Sequence, residues 1–144
     1  MLRWLYRFAD RARHQARMRL WSADKALGRR GEDIAHRYLQ RLGMTIVARN
    51  YTSPGGRAEA DLVARDGEEL VVVEVKTRSS ADYGPPERAI GYEKERKMIY
   101  AGEHYARRAD IPFELLRFDV VSVLVLGTSV EVDHFKAAVQ PCAR

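Results

Sequence analysis

The chain has 144 residues, 46% of them hydrophobic, and its 25 Lys and Arg outnumber its 20 Asp and Glu by 5, which gives a pI near 9.6. This length fits one domain with a single core. The basic balance suits a phosphate-bearing partner, although many small proteins are mildly basic without one. The single cysteine, Cys142, excludes an internal disulfide and a cysteine-rich zinc site. We expect a cytoplasmic protein without a membrane partner, because no stretch approaches roughly 18 consecutive apolar residues and no signal peptide is evident.

Residues 1–22 form a basic N-terminal arm in which six arginines oppose only Asp10. Apolar residues recur in the arm at helical spacing, namely at Leu5, Phe8, Ala12 and Ala16. Three interpretations remain open: a nucleic-acid clamp, an interfacial membrane helix, and a solvated extension whose apolar stripe packs on the domain. We favour the extension, since short apolar stripes are usually core contacts.

The first helix of the domain is predicted from about Ala23 to Leu42. Ser22 can cap its N-terminus, and Gly43 ends it. A strand follows from Thr45 to Tyr51, and a Ser-Pro-Gly-Gly loop leads to the next element. This pattern predicts a helix followed by a strand.

The segment from Asp61 to Lys76 predicts a β-hairpin. If Asp66 and Gly67 form a two-residue loop, Asp61 lies opposite Val72. Side chains alternate between the two faces of a strand, so one face gathers most of the polar groups. These groups are Glu59, Asp61, Glu74 and Lys76.

Glu74 is the unusual residue of this hairpin, because it interrupts the apolar run from Leu70 to Val75. An ionised carboxylate there would cost several kcal/mol unless it were paired or coordinated. Asp61 and Glu74, as diagonal neighbours, could close around one Mg²⁺ or Mn²⁺ that keeps several waters. Lys76 would then stabilise charge on an attacking hydroxide. The alternative is a plain ion pair on a solvated face, against which the apolar run argues.

A helix is predicted from about Glu87 to Arg108, with a buried stripe that includes Ile90, Met98, Ala101 and Tyr105. Lys94 falls in the middle of this stripe. It either snorkels to solvent or contacts the metal-site carboxylates or a bound phosphate. We expect Arg78, Lys94 and Lys97 to contact nucleic acid.

The last long strand is predicted from Leu115 to Leu126, with Asp119 as an ion-pair partner. A short strand or turn follows from Glu131 to Lys136, so we assign residues 23–136 to the domain and 137–144 to a loose tail. The histidines are dispersed, which gives zinc or histidine-nucleophile chemistry little support. This order of elements predicts an α/β sandwich around a mixed four- or five-stranded sheet, flanked by helices.

Six motifs of the chain occur in the order of a known family. They are Gly31-Glu32-Asp33-Ile34-Ala35, Ala48-Arg49-Asn50-Tyr51, Ala58-Glu59-Ala60-Asp61-Leu62-Val63-Ala64, Val72-Val73-Glu74-Val75-Lys76-Thr77-Arg78, Tyr83-Gly84-Pro85-Pro86 and Arg117-Phe118-Asp119-Val120-Val121. Over about residues 24 to 121 the chain resembles the YraN-like family of small bacterial proteins, although Ala58 stands where the family usually has glycine. The resemblance implies the restriction-endonuclease-like fold of archaeal Holliday-junction resolvases.

By the same resemblance, Glu32, Asp61 and Glu74 would be metal ligands, Lys76 a catalytic lysine and Glu59 a reserve acid. Our leading hypothesis is a divalent-metal-dependent endonuclease that hydrolyses branched or single-stranded nucleic acid, with DNA favoured over RNA. The alternative is a binding module of the same fold that cleaves nothing. Analogy with the resolvases also suggests a homodimer.

Overall fold

The computed structural model describes residues 2–20, 22–79 and 90–141. Within these ranges the chain forms helices and strands in the following order: α1 (Leu2–Leu20), α2 (Ala23–Arg41), β1 (Thr45–Thr52), β2 (Glu59–Asp66), β3 (Glu69–Ser79), α3 (Tyr92–Arg108), β4 (Leu116–Leu126) and β5 (Ser129–Val139). None of these helices is both long and apolar enough to cross a membrane within the part of the chain described here.

The strands form one mixed sheet in the order β1-β2-β3-β4-β5. β3 and β4 are parallel, and each other neighbouring pair is antiparallel. Parallel strands need a crossover, and α3 lies in the connection between them. The prediction of a mixed α/β sandwich is confirmed, and the architecture is consistent with a restriction-endonuclease-like fold.

Helices cover both faces of the sheet, which explains why β3 and β4 are nearly continuous apolar runs. On one face, Leu39 of α2 packs in a core cluster with Val73. On the other face, Met98 of α3 packs in a second cluster with Val72 and Phe118. The central strands are therefore buried on both sides, and a polar group within them needs a specific partner.

The hairpin loop differs from the prediction by one residue. Asp66 pairs with Glu69, so the loop is Gly67-Glu68 rather than Asp66-Gly67. Gly67 has φ 60°, and a glycine at the first loop position is what a type II′ hairpin requires. The shift moves each opposed position by two residues and so by itself turns no side chain to the other face. Ala58 and Ala60, however, pack in one cluster with Val72, so Glu59 does not share the face of Glu74 as predicted.

Three segment boundaries also differ from the prediction. α3 begins at Tyr92, after Gly91, rather than at Glu87; residues 80–89, including the Tyr83-Gly84-Pro85-Pro86 motif, lie outside the described residues. β5 extends from Ser129 to Val139, because it pairs with β4 from Ser129 to Phe135 and, after a bulge, again at Val139. The first residues of the expected loose tail therefore belong to the sheet, while 142–144 lie outside the described residues.

The N-terminal arm packs on α2 by a polar contact rather than by its apolar stripe. Asp10 is buried, and its carboxylate lies 3.4 Å from Arg30 Nε and 3.0 Å from Arg37 Nη2. Leu5 and Phe8 remain 55% and 66% exposed. The predicted packing of the stripe is wrong, because burying the only acid of the arm between two arginines turns the stripe toward solvent.

Gly31 allows α2 to approach the sheet. A Cβ at this position would lie 1.8 Å from Thr77 Oγ1, whereas Gly28 on the same helix has open space around it. We expect Gly31→Ala to destabilise the fold by at least about 1–3 kcal/mol through overpacking. Gly28→Ala should instead stabilise it by up to about 1 kcal/mol through helix propensity. Urea unfolding of both variants measures their free energies of unfolding. Equal changes in the two would contradict the close contact between α2 and Thr77.

Asp119 is an ion-pair partner, as predicted. It is fully buried on β4, accepts two hydrogen bonds from Arg117 at 3.0 Å, and contacts His134 Nε2 at 2.8 Å. Burial raises the pKa of Asp119, but the hydrogen bonds from His134 and Arg117 outweigh this effect and lower it. The carboxylate therefore stays ionised and links β4 to β5 at the bulge between them.

We expect Asp119→Ala to destabilise the protein by about 3–5 kcal/mol, because the change leaves the buried hydrogen-bond donors of Arg117, His134 and the Ala137 backbone without their acceptor. Glu131→Ala, at an exposed position of β5, should change the stability by less than about 0.5 kcal/mol. Chemical unfolding of the two variants measures the difference. If Asp119→Ala loses as little stability as Glu131→Ala, the contacts of Asp119 with Arg117 and His134 contribute little to the fold.

Candidate metal and nucleic-acid site

β2 separates from β3 at Asp61. The ladder between the strands reaches Leu62 and Val73 and goes no further toward the start of β2. At this point Asp61 Oδ2 accepts a hydrogen bond from the Val75 backbone N–H at 2.8 Å. Ala60 packs in the core under α3, whereas Leu62 packs in the core under α2, so the alternation of β2 breaks between them. A carboxylate thus replaces the backbone pairing and is held by the neighbouring strand.

Asp61 and Glu74 are brought together at this break. Extending the observed register places them opposite each other, rather than diagonal as predicted. Glu74 is only 6% exposed. Burial and then the charge of Glu74 raise the pKa of Asp61 to about 7, against the hydrogen bond from Val75, which lowers it. Two close carboxylates with poor hydration favour a bound proton or a bound cation.

Lys94 reaches this pair from the first turn of α3. Its Nζ donates a hydrogen bond to Glu74 Oε1 at 2.7 Å, which raises the pKa of Lys94. The Lys94 side chain is still 66% exposed, so it lies over the carboxylate rather than in the core. Of the roles predicted for Lys94, the structure shows the contact with a site carboxylate. Glu59 is exposed, and its charge also raises the pKa of Lys94.

Glu32 approaches the same region from α2, and its charge contributes to the raised pKa of Asp61. Its Oε2 lies 3.1 Å from Arg29 Nη1 and 3.3 Å from Asn50 Nδ2. Arg49 Nη2 is also near, at 3.6 Å. Asn50 falls opposite Asp61 in the β1–β2 ladder and has φ 49°. Sequence reasoning missed it as a site residue, and its place in the Ala48-Arg49-Asn50-Tyr51 motif was the available signal.

The donor set fits a cation that needs few protein ligands. Across the described ranges, no three Asp, Glu, His or Cys side chains are close enough together to enclose a metal ion. Asp61 and Glu74 together offer two carboxylates, which is sufficient for Mg²⁺ because this ion keeps several waters. Glu32 is engaged by Arg29 and Asn50, so a water-mediated contact suits it better than a direct one.

Lys76 and Arg78 lie farther along β3, on the same face as Glu74. Strand alternation projects positions 74, 76 and 78 toward the α3 side of the sheet. Both side chains are partly buried. The predicted lysine therefore shares a face with Glu74, two residues along the strand, and the predicted arginine follows it toward the end of the strand.

Two basic and aromatic pockets lie against α3. One has a volume of about 250 Å³ and is lined by Arg57, Arg96, Lys97 and Tyr100. The other, also of about 250 Å³, is lined by Tyr51, Tyr105, Arg108 and Ala109. We call these two pockets together the α3 groove. It contains the predicted Lys97, but its tyrosines were missed because β1 and α3 each supply some of them.

The Tyr51 part of the α3 groove lies beside the strand that carries Asp61. Tyr51 pairs with Ala60, the residue before Asp61. The Tyr51 hydroxyl hydrogen-bonds His104 Nδ1, and the Tyr51 and Tyr105 rings meet edge to face with centroids 5.1 Å apart. These contacts hold the Tyr51 and Tyr105 rings in fixed positions.

Comparison with known proteins agrees with the motifs in the sequence. The model of the uncharacterised protein family UPF0102 matches residues 31–123. A UPF0102 protein of Solibacter usitatus is 46% identical over 96% of this chain and 99% of its own length. Another, from Syntrophotalea carbinolica, is 43% identical over 78% of this chain and 90% of its own. A third, from Pseudarthrobacter chlorophenolicus, is 43% identical over 82% of this chain and 89% of its own length.

These matches confirm the resemblance to the YraN-like proteins, and α1 lies outside the part that the family model covers. The chain belongs to the uncharacterised protein family UPF0102.

Proposed function

We propose that the chain is a divalent-cation-dependent endonuclease that hydrolyses phosphodiester bonds in nucleic acid, with DNA as the preferred substrate. The observation that supports this most directly is the pairing of Asp61 and Glu74 where β2 leaves β3. A buried carboxylate pair is destabilising by itself, and the hydrogen bonds from the Val75 N–H and Lys94 still leave the pKa of Asp61 raised. Cation binding would remove that cost.

Each side chain has a separate role in this proposal. Asp61 and Glu74 would hold Mg²⁺ or Mn²⁺, with Glu32 acting through water and Glu59 in reserve. The bound ion would polarise the phosphodiester and make water a better nucleophile. Lys76 would stabilise negative charge next to the acid pair. Lys94 is exposed over Glu74, so its ammonium group can move to a phosphate oxygen when substrate binds.

The reaction adds one water molecule across a P–O ester bond. A bond forms between the water oxygen and phosphorus, the ester P–O bond breaks, and the leaving oxygen takes a proton. Negative charge develops on the phosphate oxygens in the transition state. Lys76 and Arg78 of β3 and Lys94 of α3 would be the cations that stabilise it. Positioned cations of this kind act mainly on the transition state.

The α3 groove supplies a path for the nucleic acid. Arg57, Arg96 and Lys97 would neutralise backbone phosphates, while the tyrosines offer surfaces on which unpaired bases stack. This chemistry favours single-stranded or branched substrates, in which bases are accessible. Lys97 was expected to contact nucleic acid, and its place in the groove supports that expectation.

A panel of end-labelled single-stranded, duplex, flapped and four-way substrates tests the proposed activity. Each substrate is incubated with Mg²⁺, Mn²⁺ or a chelator, beside the Lys76→Ala protein. We expect cleavage only with metal, and strong loss of it in Lys76→Ala. Metal-dependent binding without products would instead favour the binding module, and products insensitive to both chelator and mutation would reveal a contaminant.

Replacing Tyr100 and Lys97 by alanine tests the groove. We expect Tyr100→Ala to weaken binding of a single strand by about 1–3 kcal/mol through lost stacking. Lys97→Ala should also weaken binding of the single strand. It should lower the slope of log affinity against log salt concentration by the amount expected for about one phosphate contact. Fluorescence anisotropy over a salt series measures both. Glu114→Ala, at an exposed position outside the groove, is the control. Unchanged affinity in both groove variants would place the nucleic acid elsewhere.

A further inference from the structure

A second, separate pocket lies between α1, α2 and the β4–β5 turn. Its volume is about 110 Å³, and Val130 and Val132 of β5 contribute to its wall. Charged side chains of α1 and α2 dominate its lining, and we call this cavity the arginine pocket. These side chains are Arg7, Arg11, Arg30, Arg37, Arg41 and Asp10. The pocket uses none of the acids proposed to hold metal.

Two of these arginines are nearly buried and share one carboxylate. The side chains of Arg30 and Arg37 are 12% and 16% exposed, and that of Asp10 is 8% exposed. Asp10 supplies one negative charge for two positive ones. A desolvated guanidinium is unfavourable unless its charge is balanced and its donors are bonded. The interior of the pocket therefore has an excess positive charge that Asp10 does not balance.

The rim of the pocket adds to this excess. Arg7, Arg11 and Arg41 are exposed, so they bring the lining to five arginines against one aspartate. The Arg37 guanidinium also lies 6.0 Å from the centre of the Tyr6 ring, which orients it. Guanidinium groups bind phosphate oxygens in a bidentate, planar arrangement and are weakly hydrated, so they suit a partly buried anion site.

We propose that the arginine pocket binds a phosphoryl anion, with Arg37 and Arg30 as interior ligands and the three exposed arginines as a clamp at its mouth. The small volume selects a single phosphate or a pyrophosphate rather than a long polyanion. The source of the phosphoryl group is either a free anion or the 5′-terminal phosphate of a nucleic acid strand. In both cases the anion supplies the negative charge that the buried arginines lack.

Isothermal titration of the full chain tests this proposal, with inorganic phosphate and pyrophosphate as probes at constant ionic strength. We expect saturable binding that the rim variant Arg7→Gln/Arg11→Gln weakens by at least about tenfold. Arg37→Gln should weaken it at least as much. The rim variant leaves the contacts of Asp10 intact, so it separates a loss of binding from a loss of folding.

Arg107→Gln is the matched control, since Arg107 is exposed on α3 and far from the pocket lining. It should change the affinity by less than about twofold. Absence of binding to both probes, or an equal loss in Arg107→Gln, would overturn the proposal. Asp61→Asn should leave phosphoryl binding unchanged, so the test is independent of nuclease activity.

A second comparison distinguishes the two sources. Short oligonucleotides with a 5′-phosphate or a 5′-hydroxyl are titrated into the wild type and the rim variant. Tighter binding of the 5′-phosphorylated strand, lost in the rim variant, assigns the pocket to strand ends. If both strands bind equally and neither competes with pyrophosphate for the pocket, the pocket is assigned to a free anion.

Discussion

Glu74→Gln is expected to reduce metal-dependent cleavage by at least about a hundredfold, because it removes one of two charged ligands from a site that has few. The amide has the shape of the carboxylate and can still accept the hydrogen bond from Lys94. Fold and nucleic-acid binding should therefore persist. Turnover of the best substrate in the panel, measured at saturating Mg²⁺, gives the effect.

Glu131→Gln is the matched control for this change, since it removes a carboxylate from an exposed position of β5. It should retain full turnover. Direct titration of Mn²⁺ provides a readout that does not depend on activity, and Glu74→Gln should bind the ion at least about tenfold more weakly. Full cleavage by Glu74→Gln, or unchanged Mn²⁺ affinity, would show that Glu74 is not a ligand.

Asp61→Asn is expected to stabilise the metal-free protein above neutral pH. Burial and Glu74 raise the folded-state pKa of Asp61 from 3.8 to about 7, so the folded protein keeps a proton that the unfolded chain releases. Stability is therefore lost as the pH rises from about 4 to about 7, by up to about 4 kcal/mol. Asparagine does not ionise and can still accept the hydrogen bond from Val75.

Chemical unfolding at several pH values measures this effect. At pH 8 Asp61→Asn should exceed the wild type in free energy of unfolding, whereas near pH 4 the two should converge. Mg²⁺ should raise the stability of the wild type at pH 8 and have little effect on the variant, since only the folded wild type offers the paired carboxylates. If the free energies of unfolding of the two proteins vary with pH in parallel, the pKa of Asp61 is not raised in the folded protein.

Some features of the candidate site could be predicted from the chain because they depend on local periodicity. The alternation of strands places Glu74, Lys76 and Arg78 on one face whatever the register. The apolar run around Glu74 also implied a strand covered on both sides, and helices do cover both faces. Ser22 and Gly43 marked the ends of α2 for similarly local reasons.

Other features depended on contacts that no local pattern specifies. The loop at Gly67 shifted the hairpin by one residue and brought Asp61 opposite Glu74. The apolar stripe of α1 was predicted to pack on the domain, but it faces solvent because Asp10 pairs with Arg30 and Arg37 of α2. β5 was predicted too short, since the pairing that extends it to Val139 comes from β4.

The sequence by itself determined the order of the elements, the two-sided burial of the central strands and the face that Glu74 and Lys76 share, because each follows from spacing along one segment. Tertiary structure decided which groups meet: Asp61 with the Val75 backbone, Glu74 with Lys94, and Asp10 with Arg30 and Arg37. These pairings join residues 14 to 27 positions apart or on different elements, so they depend on how helices and strands pack rather than on any local period.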